Sequence, residues 1–354
     1  MISGFLIPIS CILLFWLPVL DHVFFISYLL YFVAFSLYIT SYFALLFTKF
    51  RNPKERIIIA TITTLLSTIS SIIIRFTRPS SFLDTEGSSI TIALFFIISL
   101  LIGILGLREE EELINTYFSP NHAPKERVLK AFFQKFIIFR KKNFLILLFR
   151  WIVISIFNSF FLVFLGLYTM DGLEIMYTHI YIDFFYLVYY GCSIIAILYI
   201  FLPSWFIGHL IAYRISGFAL GIALVAFFFF PDSLLMAIIF MGIIGFTYGL
   251  ETASLIPVIG DVFDEQAANS RKHSEGFYYG IITAFATMGP LIAPIMMIFV
   301  FSLWELPFLM GIKTLMALIP GILIIIVMIL FTVFYDLKPH KTEEIRMKLK
   351  ELQL

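Results

Sequence analysis

Long apolar runs separated by short polar stretches are the dominant pattern of this chain. A membrane-crossing helix needs about 20 consecutive, mostly apolar residues. Runs of that kind lie near 2–20, 23–47, 57–76, 90–107, 144–168, 181–202, 211–230, 234–259, 276–303 and 309–335. The runs lack the alternation, over about ten residues, of a membrane β-strand. The pattern therefore predicts an all-α polytopic membrane protein with about ten transmembrane helices.

Composition supports a bilayer environment. The 354 residues are 61% hydrophobic and only 13% charged, whereas about 25% of a soluble domain is charged. The net charge of +1 gives no reason to expect a nucleic-acid partner. Both cysteines, Cys11 and Cys192, lie in apolar runs, so neither a disulfide framework nor a metal site is expected. The expected partners are the lipid bilayer and a small-molecule solute, and the oligomeric state is left open.

The distribution of positive charge predicts the orientation. Ten spans place both termini on one side of the membrane. Of the 24 Lys and Arg residues, all except Arg75, Arg78 and Lys313 fall on that side, if Arg150 near the start of the fifth span is counted with the adjoining loop. Cytoplasmic loops carry such an excess. We therefore expect a multi-pass protein of the cell membrane with both termini in the cytoplasm.

One long polar stretch divides the chain. It suggests an incomplete N-terminal bundle of four spans at 1–107, a cytoplasmic linker at 108–143, a C-terminal six-helix bundle at 144–335 and a cytoplasmic tail at 336–354. Two six-helix halves joined by a cytoplasmic linker are typical of the major facilitator superfamily. The chain resembles a transporter of that type with four plus six helices, lacking the first two.

The third span has a polar side. Thr61, Thr64, Thr68, Ser71 and Arg75 fall in one narrow sector of the helix, since each step of three or four residues returns to the same face. Such hydroxyl groups can bond to carbonyls one turn earlier or hold helices together. Alternatively, the face lines an aqueous pathway. Both interpretations stay open.

The ninth span contains small residues and prolines at intervals of three and four. Close helix packing is the usual reason for such a seam, and each proline removes a backbone donor and permits a kink. The seam consists of Gly276, Gly280, Thr283, Thr287, Pro290 and Pro294.

Several polar side chains lie deep in predicted spans. Glu251 is eight residues before the inner end of the eighth span, which is roughly 12 Å along the helix. It is either a proton or cation site or a neutral, hydrogen-bonded structural residue. Asn158 either contacts solute or bonds between helices. Tyr186, Tyr189 and Tyr190 either stack on a ligand such as a sugar ring or pack as ordinary aromatics.

Two loops carry motifs of a known family. The first reads Asp261-Val262-Phe263-Asp264-Glu265 and then Arg271-Lys272-His273-Ser274-Glu275-Gly276. It resembles the D-V-x-D and G-K-R-x-E-G pattern between helices ten and eleven of the glycoside–pentoside–hexuronide:cation symporters, the melibiose-carrier-like branch of the major facilitators. Arg271 replaces the usual Gly, and His273 replaces Arg.

The second motif lies six spans earlier, as expected for twofold-related loops. It resembles the P-Y-x-A-L helix end and the D-x-x-E-R loop after family helix four, with Ser41 in place of Pro. The matching residues are Tyr42, Ala44, Leu45, Glu55 and Arg56.

The resemblance implies which helices line a cavity. The first span corresponds to family helix three, so helices one and two, with their acidic cation ligands, have no counterpart. Ile39 occupies an acidic position of family helix four. Family helices one, four, seven and ten line the cavity. The counterparts present are the second, fifth and eighth spans, which contain Tyr38, Asn158 and Glu251. No cofactor is expected, apart from coupling to H⁺ or Na⁺.

The resemblance also implies a cytoplasmic gate, because charged inner loops of the family act as conformational latches. The alternative is ordinary solvated loop charge. The gate candidates are Glu55, Arg56, Asp261, Asp264, Arg271, Lys272 and Glu275.

These features favour a secondary active transporter, a symporter of a sugar-like or amphipathic solute that works by alternating access. The first alternative is a truncated or non-transporting membrane protein of the same fold. A membrane-embedded lipid-processing enzyme is the second alternative, although neither H-E-x-x-H nor G-x-S-x-G occurs. No catalytic residue is assigned.

Overall fold

The computed structural model describes residues 6–10, 21–50, 53–76, 97, 136–168, 179–199, 208–230, 233–270, 274–303 and 307–352. Its α-helices are α1 (Asp21–Lys49), α2 (Pro53–Phe76), α3 (Lys142–Leu167), α4 (His179–Tyr199), α5 (His209–Phe229), α6 (Leu234–Ser270), α7 (Glu275–Ala286), α8 (Met288–Ile298), α9 (Phe308–Lys313), α10 (Ile319–Phe334) and α11 (Pro339–Glu351). A 3₁₀ turn spans Phe136–Arg140, and π-turns span Phe299–Leu303 and Thr314–Leu318. These residues include no strand.

Six stretches of the described helices are long and apolar enough to cross a membrane, and the prediction of an all-α polytopic protein is confirmed. They are Lys54–Ile73, Lys142–Phe161, His209–Phe229, Leu234–Ser270, Glu275–Ser302 and Phe308–Phe334. Shorter apolar stretches lie at Val33–Phe47 and Asp183–Tyr199. The spans predicted near 2–20 and 90–107 lie almost wholly outside the described residues.

The chain divides into two compact units. One comprises Met1–Thr48 and Thr77–Ile137, and the other comprises Lys49–Phe76 and Ile138–Leu354. Among the described helices, α1 belongs to the first unit, and α2 to α11 belong to the second. The domain boundaries at 107, 143 and 335 stay predictions.

Helix α6 is the centre of the second unit, where it packs against α2, α4, α5 and α11. Two glycines bring it unusually close to α4. A Cβ atom at Gly245 would collide with the carbonyl of Tyr189, and one at Gly249 would collide with that of Ser193. Small residues permit this backbone approach between membrane helices.

Helix α2 packs against α4 and α6 in the second unit, although it precedes the polar stretch in sequence. The contact is apolar: Leu65 of α2 lies against a small buried cluster of Ile197 from α4 and Ala253 from α6, with Leu250 beside it. The first turn of α2 lies close to the C-terminal end of α6, where the charged motif residues lie.

A kink interrupts the ninth predicted span. Helix α7 ends at Ala286, a turn follows at Thr287, and α8 begins at Met288. Pro290 cannot donate to the carbonyl of Ala286, four residues earlier. The hydroxyl of Ser155 on α3 donates to that carbonyl instead, so a partner helix satisfies the backbone group that proline releases.

Candidate functional site

A buried bidentate ion pair joins α2 to α6 at the end where the motif residues lie. Arg56 Nη1 is 2.7 Å from Asp264 Oδ2, and Nη2 is 2.8 Å from Oδ1. Arg56 Nε donates to the carbonyl of Phe50 at 2.6 Å. The Arg56 side chain is 1% exposed and that of Asp264 is 8% exposed. Two parallel charge-assisted bonds make this a strong and directional contact.

The backbone of α6 leaves room for this guanidinium. A Cβ atom at Gly260 would lie 2.7 Å from Arg56 Nη1, which is closer than van der Waals contact. Glu275, buried in the first turn of α7, adds an electrostatic attraction to Arg56. Arg56 therefore lies against the α6 backbone, among carboxylates from two helices.

Asp261, one turn before Asp264, is held by other elements. His209 Nε2, at the start of α5, donates to Asp261 Oδ2 at 2.6 Å, because an ionised carboxylate can only accept. Arg346 Nη2 of α11 donates to Oδ1 at 2.8 Å. The hydrogen bonds of Asp264 thus reach α2 and those of Asp261 reach α5 and α11, although Asp261 also attracts Arg56 through space.

A second polar cluster lies where α10 ends. Asp336 accepts from Lys142 at 2.8 Å, Lys341 at 3.1 Å and Asn143 at 2.7 Å. Asn143 also donates to Glu265 at 3.0 Å. Partial burial of the Asp336 carboxyl raises its pKa, but these hydrogen bonds outweigh that effect and lower the pKa to about 2. The cluster joins the start of α3 to the tail.

Not every gate candidate is placed. The structure brings Arg56, Asp264 and Glu275 together, whereas Glu55 is exposed. Arg271 and Lys272 lie outside the described residues. The roles of all seven candidates as a gate stay predictions.

Glu251 forms an ion pair that neither sequence interpretation included. Arg150 Nη2 of α3 is 2.5 Å from Glu251 Oε1, and both side chains are fully buried. Arg150 was predicted to belong with the charges of the adjoining cytoplasmic loop, but it lies inside α3. The pairing could have been found from the depth of the two residues in the membrane, since Arg150 and Glu251 are six to eight positions from the inner ends of their predicted spans.

Aromatic side chains surround this region. Asn158 lies within hydrogen-bonding reach of the Tyr248 hydroxyl, as in the interpretation that it bonds between helices. The Tyr248 ring centroid is 5.8 Å from that of Tyr189, and those of Tyr186 and Tyr190 are 6.3 Å apart. Contact of these residues with a solute stays a prediction.

The polar side of α2 bonds mainly to its own backbone. Thr61, Thr64, Thr68 and Ser71 each donate to the carbonyl four residues earlier. These bonds match the first interpretation and leave an aqueous pathway untested. The side chain of Arg75 lies outside the described part of the chain. Tyr38 is half-buried on α1, in the first unit.

Comparison with known proteins identifies the family. The family model described as MFS/sugar transport protein matches residues 1–339. No curated protein matches the chain. The family match favours a transporter over an enzyme. The chain, a multi-pass membrane protein of the major facilitator type, belongs to the MFS/sugar transport protein family.

Proposed function

We propose that the protein is a secondary active transporter of the cell membrane, with both termini cytoplasmic. It moves a sugar-like or amphipathic solute by alternating access, as a symporter with H⁺ or Na⁺. The parting of α2 from α6 opens the path to the cytoplasm, and the Arg56–Asp264 pair is the latch that keeps it closed.

The observation that carries this proposal is that the Arg56–Asp264 ion pair joins two helices that lie far apart in the sequence. Its partners are 208 positions apart in sequence and come from helices on either side of the long polar stretch. Both residues lie in sequence motifs that resemble inner-loop motifs of a symporter family. Helices that must separate in every cycle need a contact that is specific but reversible.

A buried ion pair suits that requirement. Removing one partner of such a pair costs about 3–5 kcal/mol, because the other charge stays buried. When α2 and α6 part, both charges regain water, and their hydration offsets most of the lost attraction. The closed latch is therefore specific in its geometry, and opening it costs little free energy.

The test uses a cysteine placed behind the latch. Ala253 of α6 is buried in a cluster with Ile197 of α4, and Leu65 of α2 packs against that cluster. In a Cys11→Ser/Cys192→Ser background, Ala253→Cys should react slowly with a membrane-impermeant thiol reagent in inside-out vesicles. Arg56→Lys keeps the charge but loses the bidentate geometry, and should label at least about tenfold faster, which corresponds to about 1.4 kcal/mol.

Arg346→Lys is the matched control, because Arg346 binds Asp261 rather than α2. It should leave the labelling rate near that of the parent. Equal rates in the Arg56→Lys and Arg346→Lys proteins would refute the latch. Uptake of labelled sugars into proteoliposomes tests transport itself. Failure of uptake across a broad solute panel would favour the alternative of a non-transporting member of the fold.

A further inference from the structure

The membrane-embedded pair of Arg150 and Glu251 is poorly satisfied for two groups so deeply buried. Both side chains have 0% exposure, and a single hydrogen bond of 2.5 Å joins them. Among the residues that the structure describes, Arg150 Nε, Arg150 Nη1 and Glu251 Oε2 have no hydrogen-bond partner. The hydroxyl of Tyr213 on α5 lies close enough to interact with the guanidinium, but it does not meet hydrogen-bond geometry and is itself unpaired within the described part of the chain.

Such unpaired groups are costly in the interior of a protein. Buried polar atoms are nearly always hydrogen-bonded, and unpaired charged groups are the most expensive exceptions. A purely structural ion pair would be expected to engage its remaining donors, as Arg56 does through all three of its nitrogens. The unpaired atoms of Arg150 and Glu251 indicate a place that a ligand completes.

The unpaired atoms also indicate the chemistry of that ligand. Arg150 Nε and Nη1 together carry three N–H donors and the unpaired Tyr213 hydroxyl adds a fourth, against one carboxylate oxygen that can only accept. The complementary group therefore mainly accepts hydrogen bonds, as the oxygens of a carboxylate or phosphate do. A sodium ion is disfavoured here because it would lie beside the permanent positive charge of Arg150.

The balance of charge at the site requires that a proton binds together with the oxyanion. The pair is neutral, so an arriving oxyanion would leave one uncompensated negative charge in a medium of low dielectric constant. Binding of a proton to Glu251 removes that charge and frees Arg150 for the oxyanion. The titratable groups that interact with Glu251 are Arg150 on α3, Tyr189 on α4, Tyr213 on α5 and Tyr248 on α6. Arginine and tyrosine do not change charge near neutral pH, which leaves Glu251 to take the proton.

We infer that Arg150 and Glu251 form an exchange site at which a solute oxyanion replaces the Glu251 carboxylate on Arg150 while Glu251 takes up one proton. The net charge of the site is zero before and after the exchange. This inference rests on the proposed function and deepens it: the solute carries a carboxylate or phosphate group, and H⁺ is the coupling ion.

The first experiment asks whether a small oxyanion reaches Arg150. In Glu251→Gln, Arg150 lacks its counter-ion, so formate can replace the carboxylate without a proton. In the full chain purified in a phosphate-free detergent, formate should raise the thermal midpoint of Glu251→Gln by several degrees relative to equal sodium chloride. The matched Arg150→Gln/Glu251→Gln protein should show no such shift. Equal shifts in both variants, or no shift in either, would overturn the inference.

The second experiment tests the proton and the source of the oxyanion. The oxyanion should stabilise the wild-type protein more at about pH 5 than at about pH 8, because the exchange takes up a proton and becomes more favourable as the pH falls. The probes are glucuronate, with glucose as its uncharged match, and dihexanoyl phosphatidic acid. Stabilisation by glucuronate indicates a soluble solute, and stabilisation by phosphatidic acid indicates a lipid headgroup. No stabilisation by either, or the same stabilisation at both pH values, contradicts the inference.

These readouts separate the inference from the proposed function. Solute uptake that persists in the Arg150→Gln/Glu251→Gln protein would leave the transporter proposal intact and refute only the exchange site. Binding of formate at Arg150 without uptake of any solute would support the site and count against transport.

Discussion

Two of the carboxylate–arginine pairs on helix α6 are built in opposite ways: Arg56–Asp264 near the end of the helix, the outer pair, and Arg150–Glu251 in its middle, the inner pair. In the outer pair, Arg56 uses all three nitrogens and meets Asp264 through two bonds. Within the membrane, Arg150 meets Glu251 through one bond and leaves Nε and Nη1 unpaired. Burial is nearly the same at both places, so burial does not explain the difference. The pair that we propose as a latch is fully hydrogen-bonded, whereas the pair that we propose as an exchange site has N–H donors that are unpaired among the described residues.

The largest expected effect comes from breaking the inner pair. Arg150→Met should lower the free energy of unfolding by about 3–5 kcal/mol, because Glu251 is left as an uncompensated buried charge. Arg150→Met/Glu251→Leu should recover most of that loss, since an apolar pair needs no hydrogen bonds. Denaturant titration in detergent measures both. A double variant no more stable than Arg150→Met alone would show that the pair is not coupled.

The next effect comes from crowding the outer pair. Gly260→Ala places a Cβ atom against Arg56 Nη1 and should cost about 1–3 kcal/mol, as overpacking does. It should also speed thiol labelling of Ala253→Cys, because the displaced guanidinium loses its bidentate contact. Gly191→Ala on α4 is the matched control, since a Cβ atom there meets nothing within 4 Å. Equal labelling in the two proteins would contradict the geometry given for Gly260.

A smaller effect is expected one turn away. Arg346→Gln removes one of the two donors to Asp261, but His209 remains. The loss should be about 1 kcal/mol, because Arg346 is partly exposed and water replaces the bond. The rate of thiol labelling of Ala253→Cys should not change, since neither Arg346 nor His209 forms a hydrogen bond to α2. Faster labelling would mean that the tail helix controls the latch.

The smallest effect concerns Asp336 and serves as a reference for pH. Its pKa is lowered to about 2 in the folded protein, from about 3.9 in an unfolded chain. The contribution of Asp336 to the free energy of unfolding is therefore complete above about pH 4 and is lost as the pH falls towards 2. Because the side chain is 36% exposed, the effect should stay below about 1 kcal/mol. Asp336→Asn should destabilise the protein equally at about pH 5 and pH 8, unlike the oxyanion effect at Glu251.

The outer pair could be predicted from the sequence because its residues lie in short motifs next to helix ends. Arg56 and Asp264 were both gate candidates, and only their direct bond needed the structure. The inner pair was different. Glu251 was conspicuous in an apolar span, but Arg150 lies close enough to a basic loop to be taken as part of it, and nothing local links positions 101 residues apart.

The hydroxyl groups of α2 show a second feature that sequence periodicity cannot predict. A row of Thr and Ser on one face is the same whether the hydroxyls bond to their own backbone or line water. The bonds of Thr61, Thr64 and Thr68 to earlier carbonyls depend on rotamers, which periodicity does not determine. The kink at Pro290 was predictable, but the donor from Ser155 on another helix was not.

The hydrogen bond from Ser155 to Ala286 affects which substitutions the chain can accept. The Ser155 hydroxyl is needed where it is because Pro290 frees the Ala286 carbonyl, and Gly289 leaves space for it, since a Cβ atom there would collide with Ser155. An alanine at position 290 would restore the internal bond, and the Ser155 hydroxyl would then no longer be needed to satisfy that carbonyl. We therefore expect substitutions of Ser155 and Gly289 to be tolerated better in a Pro290→Ala protein than in the parent.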